Sequence, residues 1–518
     1  MNVFSLFENA ALAWKDRPAV RYGDRCQSYG ELSDSASAVA GRLAFLGLER
    51  GDRVAIFMRN GFLYPSAMLG AFRGGFVAVP INAKLHPREA AYIVDNAEAK
   101  AIVLDADVAT DFSAVYSDRR LMTIVVGDPS AQNALETALL PGPAKASATA
   151  ERAPDDAAWL FYTSGTTGLP KGAVLSHRNL IAMSVNCLAD ICSFRPDDRL
   201  LHLAPLSHGS GMYLIPALSR GAENVIDAGG GFDPDRVLRL VANERVTVLP
   251  FLAPTMIVRL LQADPGVRVP TLRAIIYGGA PIHLRHLRAA LQRFGPVLTQ
   301  LYGQGESPMT ISALPAWAHE NTDDETLRSA GFIRSGVEVR ILDTDGAIAP
   351  LGEVGEIAVR GDIVMRGYWR NDDANAASLS DGWLRTGDIG RFDARGHLHI
   401  LDRRHDMIIS GGSNIYPREV EDVLTRHPAV SEAIVFGVPD PEWGESVASV
   451  IVLREECAGV DEDALIAFCR DHLASFKKPK RIEFAAELPK NAYGKVLRRD
   501  LRDRFNCRRR NDKSSSRL

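Results

Sequence analysis

The stretch on which the interpretation of this chain rests is Tyr162-Thr163-Ser164-Gly165-Thr166-Thr167-Gly168-Leu169-Pro170-Lys171-Gly172. The apolar residues 159–162 lead into it and predict the end of a buried strand. Hydroxyls and glycine amides converge readily on phosphate oxygens, and lysine adds a mobile positive charge. The stretch is not a P-loop, in which Gly-Lys-Ser/Thr precedes a helix, because Lys171 stands between Pro170 and Gly172. Two interpretations stay open here, a polyphosphate-binding loop and a plain surface turn.

The bulk composition excludes several classes of protein. A chain of 518 residues is too long for one core and predicts about three packed units. A hydrophobic content of 46% and a charged content of 24% are ordinary for a globular protein. The formal net charge of −4 gives no electrostatic basis for binding nucleic acid or an acidic membrane. The six cysteines form no C-x-x-C pair, which argues against a zinc site and favours a reducing compartment.

Targeting signals are weak in this sequence. The first residues lack a basic segment followed by an apolar run, so they predict no signal peptide. The most apolar stretch, residues 62–81, is broken by proline and glycine and predicts core, not an integral membrane segment. We expect a cytoplasmic protein, with a peroxisomal location as the alternative because Ser516-Arg517-Leu518 resembles a peroxisomal address.

The pattern of the chain predicts an α/β fold. Strand and helix signals alternate in the first half, for example at residues 54–57, 62–73 and 76–81, and such alternation favours layers around a mostly parallel sheet. Residues 200–206 read as a further buried strand. Beyond Ser335 the alternation has period two, which favours β-structure.

Several polar motifs interrupt the apolar texture, and each has a plain structural explanation when taken singly. Glu306 fits a solvated loop acid, which is the usual state of a lone glutamate. Arg403 and Asp406 fit a surface ion pair that contributes little stability. Residues 383–388 fit a hairpin turn.

Taken together, the motifs resemble the adenylate-forming superfamily, which comprises acyl-CoA synthetases, peptide-synthetase adenylation domains and firefly-type luciferases. The resemblance covers nearly the whole chain and is most like an acyl-CoA synthetase. The matching motifs, in chain order, are Tyr162 to Gly172, Tyr302-Gly303-x-x-Glu306, Arg385-Thr386-Gly387-Asp388, Gly411-Gly412-x-Asn414-Ile415-Tyr416-Pro417-x-Glu419-Val420-Glu421 and Leu488-Pro489-Lys490-x-x-x-Gly494-Lys495.

The resemblance implies the domain organisation. A large N-terminal domain, residues 1–402, would consist of layered α/β subdomains with a distorted β-barrel portion and would hold the acid and ATP sites. A small mobile α+β domain, residues 403–506, would carry the catalytic lysine. Residues 507–518 are basic and serine-rich, and predict a disordered tail.

The resemblance also implies roles in the first step, in which a carboxylate attacks the α-phosphate of ATP and negative charge must be neutralised. Glu306 would hold Mg²⁺, which accepts carboxylate and phosphate oxygens. Asp388 would accept both ribose hydroxyls, and Lys495 would stabilise the transition state. The residues that would bind ATP or AMP are Thr163, Ser164, Gly165, Thr166, Thr167, Lys171, Gly278, Gly279, Ala280, Gln300, Tyr302, Gly303, Asp388 and Arg403.

In the second step a thiol attacks the acyl-adenylate and AMP leaves. By resemblance, the small domain rotates between the steps and presents Gly411 and Gly412 to the pantetheine of CoA. The expected partners are therefore a small carboxylic acid, ATP and CoA, bound by a monomer or homodimer. Gly305 departs from the family pattern, in which a threonine commonly precedes the metal-binding glutamate.

The sequence narrows the acid only partly. No acidic residue occurs between Asp198 and Glu223, the region in which amino-acid-activating domains hold the substrate ammonium with an aspartate, so an α-amino acid is not expected. His208 matches a position at the junction of the acid and thioester tunnels and is a candidate catalytic and substrate-contacting residue. Tyr213 and Tyr277 would give an apolar wall to the acid.

Three alternatives to a CoA ligase stay open. The first is a stand-alone ligase that loads an acyl-carrier protein, and the second is a luciferase-like oxidoreductase that oxidises its acyl-adenylate with O₂. The third is a nucleotide-binding protein without catalysis, against which the presence of both Glu306 and Lys495 counts.

One departure from the family generates a prediction. His405 stands at the pivot position, where aspartate or lysine is usual, and a histidine titrates near neutral pH. We therefore expect thioester formation to depend on pH through His405. Replacing His405 by Asp should change the pH–rate profile of the second step, and an unchanged profile would contradict the hypothesis.

Overall fold

The computed structural model describes residues 1–117, 120–126, 148–163, 169–320, 322–404, 406–410, 413–454, 457, 459–490 and 496–505. Residues 127–147 and the C-terminal tail with Ser516-Arg517-Leu518 lie outside this range. Within the described part of the chain, no helix combines the length and the apolar character needed to cross a membrane. The predicted site residues that lie outside the described residues are Ser164, Gly165, Thr166, Thr167, His405, Gly411, Gly412 and Lys495.

The strands of the described residues alternate with helices through most of the chain. In chain order they are β1 (Pro18–Tyr22), β2 (Arg25–Ser28), β3 (Arg53–Met58), β4 (Val77–Asn82), β5 (Ala99–Asp105), β6 (Met122–Val126), β7 (Ala157–Thr163), β8 (Lys171–Ser176), β9 (Arg199–His202), β10 (Glu223–Ile226), β11 (Val248–Leu252), β12 (Ala274–Gly278), β13 (Leu298–Tyr302), β14 (Ser312–Leu314), β15 (Phe332–Ile333), β16 (Val337–Leu342), β17 (Gly355–Gly361), β18 (Leu379–Ser380), β19 (Trp383–Phe392), β20 (Leu398–Arg403), β21 (Ile408–Ser410), β22 (Ser413–Ile415), β23 (Val430–Asp440), β24 (Gly444–Leu453) and β25 (Arg481–Phe484).

The α-helices of the described residues are mostly two to four turns long. In chain order they are α1 (Phe4–Ala13), α2 (Tyr29–Phe45), α3 (Tyr64–Gly74), α4 (Pro87–Asn96), α5 (Ala106–Val115), α6 (His177–Asn186), α7 (Gly209–Met212), α8 (Leu214–Leu218), α9 (Pro234–Asn243), α10 (Pro254–Leu261), α11 (Leu284–Phe294), α12 (Asp324–Arg328), α13 (Asp372–Ser378), α14 (Pro417–Leu424) and α15 (Glu462–His472).

Local sequence signals explain where several of these helices begin. Ser28 accepts a hydrogen bond from the backbone of Glu31, whose side chain bonds back to Ser28, so a capping box starts α2. Ser176 and Asn179 form the same arrangement at the start of α6. Helix α4 starts with Pro87 at its first position, where the missing N–H has no cost.

The chain divides into two compact units, and the first comprises Met1–Gly279, Ala289–Val339 and Val359–Leu384. The first unit contains a nine-stranded sheet, in the order β15-β14-β13-β12-β11-β9-β10-β1-β2, and a six-stranded sheet, in the order β6-β5-β3-β4-β7-β8. Parallel pairs dominate both sheets, and every residue of β4 is buried, as expected for a sheet covered on both faces. The predicted mixed α/β fold is confirmed.

The second unit comprises Ala280–Arg288, Arg340–Ala358 and Arg385–Leu518. It contains a sheet in the order β22-β21-β24-β23, with β25 beside β24, and packs α14 and α15 on an apolar core. The predicted domain boundary between residues 402 and 403 stays a prediction. Within this unit the Arg498 guanidinium pairs with three carboxylates, those of Asp402 at 3.2 Å, Asp406 at 3.3 Å and Glu421 at 2.7 Å.

Two expectations need correction. The apolar residues 200–206 form a strand only as far as His202, because residues 203–208 leave the sheet and lead into α7. Residues 383–388 are not a hairpin turn, since they lie inside the ten-residue strand β19. In the first case, apolar character predicts that the residues are buried, but it does not fix where the strand ends.

Candidate active site

The opening stretch forms a hairpin that places two predicted ligands opposite each other. Thr163 ends β7 and Lys171 begins β8, and the two residues are paired in register. One residue further in, Gly172 faces the ring of Tyr162, and a Cβ atom at position 172 would lie 3.0 Å from that ring. A side chain at position 172 would therefore require the Tyr162 ring to shift by a few tenths of an ångström. Thr163 and Lys171 flank the same loop.

The carboxylate of Glu306 lies at the end of this hairpin. The Thr163 hydroxyl donates a hydrogen bond of 3.0 Å to Glu306 Oε1, and the Tyr368 hydroxyl donates one of 2.9 Å to the same oxygen. The backbone carbonyl of Glu306 accepts from the Met365 amide at 2.8 Å. The carboxylate is thereby oriented through Oε1, while Oε2 is the oxygen to which neither hydroxyl donates.

Gly305 is what lets the glutamate approach the hairpin. A Cβ atom at position 305 would lie 2.5 Å from side-chain atoms of both Phe161 and Thr163, well inside van der Waals contact. The departure from threonine at this position therefore has a physical reason. In this chain the space of a side chain at 305 is taken by Phe161 and Thr163.

Tyr368 connects the two charged groups of the cluster, and the sequence did not reveal it. The Lys171 ammonium lies 5.3 Å from the centre of the Tyr368 ring, within the range of a cation–π contact, while the hydroxyl binds Glu306. The Tyr368 amide donates to Asn375 Oδ1 and its carbonyl accepts from Asn375 Nδ2, which fixes the backbone there. The only signal was a tyrosine following Gly367, which a turn explains equally well.

His208 lies beside this cluster, on the residues that lead into α7. Its ring stacks on Phe161 with centroids 4.7 Å apart and planes tilted by 33°. Phe161 precedes Thr163 by two residues on β7, so their side chains point to the same face of the strand, and His208 and Glu306 contact that face. Burial lowers the pKa of His208 to about 4, so the ring is neutral at neutral pH and acts as a hydrogen-bonding group.

A buried polar chain fixes the segment that carries His208. Asn224 donates through Nδ2 to the carbonyls of Ala19 and Ala222, so its Oδ1 faces the Nε2 of His202 at 2.9 Å. An acceptor at that point requires the proton on Nε2 of His202, and Nδ1 then accepts the Ser210 hydroxyl at 2.8 Å.

The three side chains of this network are fully buried. Burial lowers the pKa of His202 to about 4, which preserves the neutral tautomer at neutral pH. Ser210, which follows His208 by two residues, is thereby anchored to the adjacent strands β9 and β10.

Several residues that were predicted to bind ATP or AMP lie at the ends of neighbouring parallel strands. Tyr277 on β12 pairs with Gln300 on β13, and Gly278 pairs with Leu301. A Cβ atom at Gly278 would lie 2.6 Å from the Leu301 carbonyl oxygen, so only glycine fits there. Tyr302 ends β13 and is almost fully buried. The carboxyl ends of parallel strands are a common ligand site in α/β proteins.

In the second unit, Asp388 and Arg403 face each other across the antiparallel strands β19 and β20. Arg403 Nε lies 3.0 Å from Asp388 Oδ1, and the two residues are paired in register. The backbone at Asp388 is fixed, because the Asp388 amide donates a hydrogen bond to the Thr386 hydroxyl. That hydroxyl itself donates to the Ile357 carbonyl. The sequence offered Asp406 as an ion-pair partner of Arg403; the structure pairs Arg403 with Asp388, and the Asp406 carboxylate with Arg498.

Not every predicted site residue joins the cluster. Tyr213 lies in the apolar core with no exposed surface, near Cys187 and Cys192. Burial, with a smaller contribution from these two thiols, raises the pKa of the Tyr213 hydroxyl. Tyr277 is also fully buried, with its hydroxyl 3.5 Å from His319 Nε2. Their contact with a substrate stays a prediction. Ala280 and Gly303 follow the ends of β12 and β13.

Comparison with known sequences assigns the chain to a described family. It matches the family model of the AMP-binding enzymes over residues 7–369 and that of the AMP-binding enzyme C-terminal domain over residues 419–495. A feruloyl-CoA synthase from an Amycolatopsis species is 37% identical over 94% of this chain and 96% of its own length. A medium/long-chain-fatty-acid–CoA ligase from Mycobacterium tuberculosis is 33% identical over 95% of this chain and 88% of its own length.

Comparison with solved structures gives the same result. The o-succinylbenzoate CoA synthetase of Bacillus subtilis, in complex with its acyl-adenylate intermediate, superimposes with a TM-score of 0.84 at 31% identity. The match covers 96% of this chain and 98% of that one.

Tyr368 offers a direct test of the cluster. Replacing Tyr368 by Phe removes the hydroxyl that orients Glu306 and keeps the ring beneath Lys171, so we expect kcat/KM for MgATP to fall by about tenfold, the value of one hydrogen bond to a charged group. Steady-state kinetics at varied MgATP measures this. Tyr116→Phe is the matched control, because the Tyr116 hydroxyl bonds Asp95 away from the site. Equal behaviour of the two variants would contradict the assigned role.

Proposed function

The chain belongs to the AMP-binding enzyme family, and from this premise we propose that it activates a carboxylic acid with ATP and transfers the acyl group to CoA. The predicted enzyme class, an AMP-forming acyl-CoA ligase, is confirmed by the family match and by the relatives. The acid, the use of CoA as acceptor, the cation and the role of each residue are the proposal. The relatives are named for an aryl acid and for fatty acids, so membership of the family does not select the acid.

The single observation that carries the proposal is the cluster at the end of the β7–β8 hairpin. It combines a carboxylate oriented by the hydroxyls of Thr163 and Tyr368 with the ammonium of Lys171. A polyphosphate needs cationic and hydroxyl donors, and the carboxylate among them needs a cation between itself and the phosphates. In this assignment Thr163 and Lys171 bind the leaving pyrophosphate.

The donor set at Glu306 fits Mg²⁺. The carboxylate oxygen Oε2 and the neighbouring Thr163 hydroxyl are hard oxygen ligands, and Mg²⁺ takes one or two carboxylates together with phosphate oxygens. When bound, the cation neutralises charge on the phosphates. Glu306 is therefore the proposed metal ligand, and the hydrogen bonds from Thr163 and Tyr368 preset its direction.

The proposed ribose site lies on strand β19, and the proposed adenine site lies at the ends of strands β12 and β13. Asp388, almost fully buried and fixed through Thr386, is the proposed acceptor for the two ribose hydroxyls. Its Oδ1 bonds Arg403, so we assign Arg403 a share in positioning this carboxylate as well as in contacting the nucleotide. The residues Gly278, Gly279, Ala280, Gln300, Tyr302 and Gly303 are proposed to form the wall of the adenine site.

The chemistry proceeds in two displacement steps. A carboxylate oxygen of the acid forms a bond to the α-phosphorus, and the bond to the bridging oxygen breaks as pyrophosphate leaves with its electron pair. The thiol of CoA then loses its proton and attacks the acyl carbonyl, and AMP leaves. His208, neutral and beside Phe161, is the proposed group that contacts the reacting carboxylate and orients it. Lys495, His405, Gly411 and Gly412 keep their proposed roles by resemblance.

A panel of carboxylic acids tests the proposed function. We expect acid-dependent release of AMP and pyrophosphate together with loss of free CoA thiol. Pyrophosphate release without CoA consumption, restored by an acyl-carrier protein, would favour the carrier-protein ligase. Acid-dependent O₂ consumption would favour the luciferase-like alternative.

Lys495 separates the two half-reactions. We expect Lys495→Ala to lower adenylation by about 100-fold or more, because it removes a cation at the developing charge, and to leave thioester formation from supplied acyl-AMP nearly unchanged. Single-turnover measurement of each half-reaction checks this. Lys490→Ala is the matched control, since Lys490 is paired with Glu432. Equal loss of both half-reactions in Lys495→Ala would contradict the assignment.

A further inference from the structure

Phe251 has a backbone conformation that an aromatic residue rarely adopts. Its φ is +72°, in the left-handed region, where a bulky L-residue is strained. The strain coincides with a bulge in β11, because Leu249 pairs with Ile275 but Leu252 pairs with Tyr277, which leaves one extra residue on β11. A bulge at the end of a strand redirects a side chain, and here the redirected side chain is the ring of Phe251.

The ring lies between two segments of the candidate site. A Cβ atom at Gly209 would lie 2.8 Å from Phe251 Cε1, and one at Gly279 would lie 3.4 Å from Phe251 Cζ. Gly209 directly follows His208, and Gly279 directly follows the strand end that carries Tyr277 and Gly278. The ring therefore occupies the space of a side chain at Gly209 and lies within van der Waals contact of a Cβ atom at Gly279.

The contacts form a continuous path from the phosphate cluster to Phe251. Glu306 bonds Thr163, two residues from Phe161, and the Phe161 ring stacks on His208. The neighbour of His208, Gly209, packs on Phe251. Phe251, which is half-buried, is therefore linked to the phosphate cluster through His208, the residue that the proposed function places next to the carboxylate of the acid.

We propose that Phe251 sets the specificity of the acid site and selects planar aryl acids over long alkyl acids. The inference rests on the proposed function and specifies the substrate class of the same site. The rings of Phe161, His208 and Phe251 present aromatic surfaces along the path, and an aryl group gains offset-stacked or edge contacts with them. A long alkyl chain gains no such contact and needs the space that the Phe251 ring occupies.

The strain at Phe251 supports a functional role. A conformation of this kind persists only where the surrounding structure determines it, and such residues cluster at binding sites. Glycine adopts a positive φ without strain, so a glycine at position 251 would relieve the strain but would remove the ring.

The test compares two acids on the full-length protein and on two variants. We measure acid-dependent ATP–pyrophosphate exchange with cinnamate, a planar aryl acid, and with decanoate, a linear alkyl acid. Wild type should prefer cinnamate in kcat/KM by at least about tenfold. Phe251→Gly and Phe251→Ala both remove the ring, and both should shift the decanoate-to-cinnamate ratio by at least about tenfold toward decanoate.

The pair of variants separates the ring from the strain. Glycine relieves the left-handed backbone and alanine does not, so a change caused by the ring appears in both, whereas a change caused by strain appears in one. Phe232→Ala is the matched control, because Phe232 is half-buried against Arg259 and away from the path, and it should leave the ratio unchanged.

The outcomes of this test distinguish the proposed function from the inference about Phe251. Exchange with neither acid, nor with any acid of the wider panel, would count against the proposed function. Exchange with a wild-type preference for decanoate, or with a ratio that neither Phe251 variant changes, would overturn the inference about Phe251 and leave the proposed function standing. A shift in both variants, with none in Phe232→Ala, supports the inference.

Discussion

The two sheets of the first unit approach each other closely at Gly305, and this approach positions Glu306. Strand β7 belongs to the six-stranded sheet and β13 to the nine-stranded sheet, and the loop after β13 passes directly against the end of β7 at Gly305. The absence of a side chain there brings Glu306 within hydrogen-bond reach of Thr163. This close approach lies at the strand end from which the Tyr162 to Gly172 stretch begins.

The charged side chains and the neutral side chains near this contact between the sheets lie in different places. The ammonium of Lys171 and the carboxylate of Glu306 lie on the phosphate side, where Tyr368 contacts both of them. On the other side, burial keeps His208 and His202 neutral, with a pKa of about 4 for each, and aromatic rings surround the path. The cluster that we propose for the nucleotide therefore carries charge, whereas the segment around His208 is neutral and aromatic.

The sequence predicted the parts of this site that are local. Strand β7 follows from the apolar residues 159–162, and the β-structure beyond Ser335 follows from the period of two. The role of Tyr368 and the left-handed Phe251 were missed, because each depends on residues more than 20 positions away in the chain. The pairing of Arg403 with Asp388 was missed for a related reason, since it follows from strand register and not from proximity in sequence.

The ion cluster at Arg498 has a consequence for how the second unit can rearrange. One guanidinium contacts Asp402 and Asp406, which stand on either side of position 405, and also Glu421 in α14. A backbone rotation at position 405 that separates residues 402 and 406 must break at least one of these contacts and leave a carboxylate without its partner. The contacts that hold residues 402 and 406 together therefore depend on a side chain almost a hundred residues further along the chain.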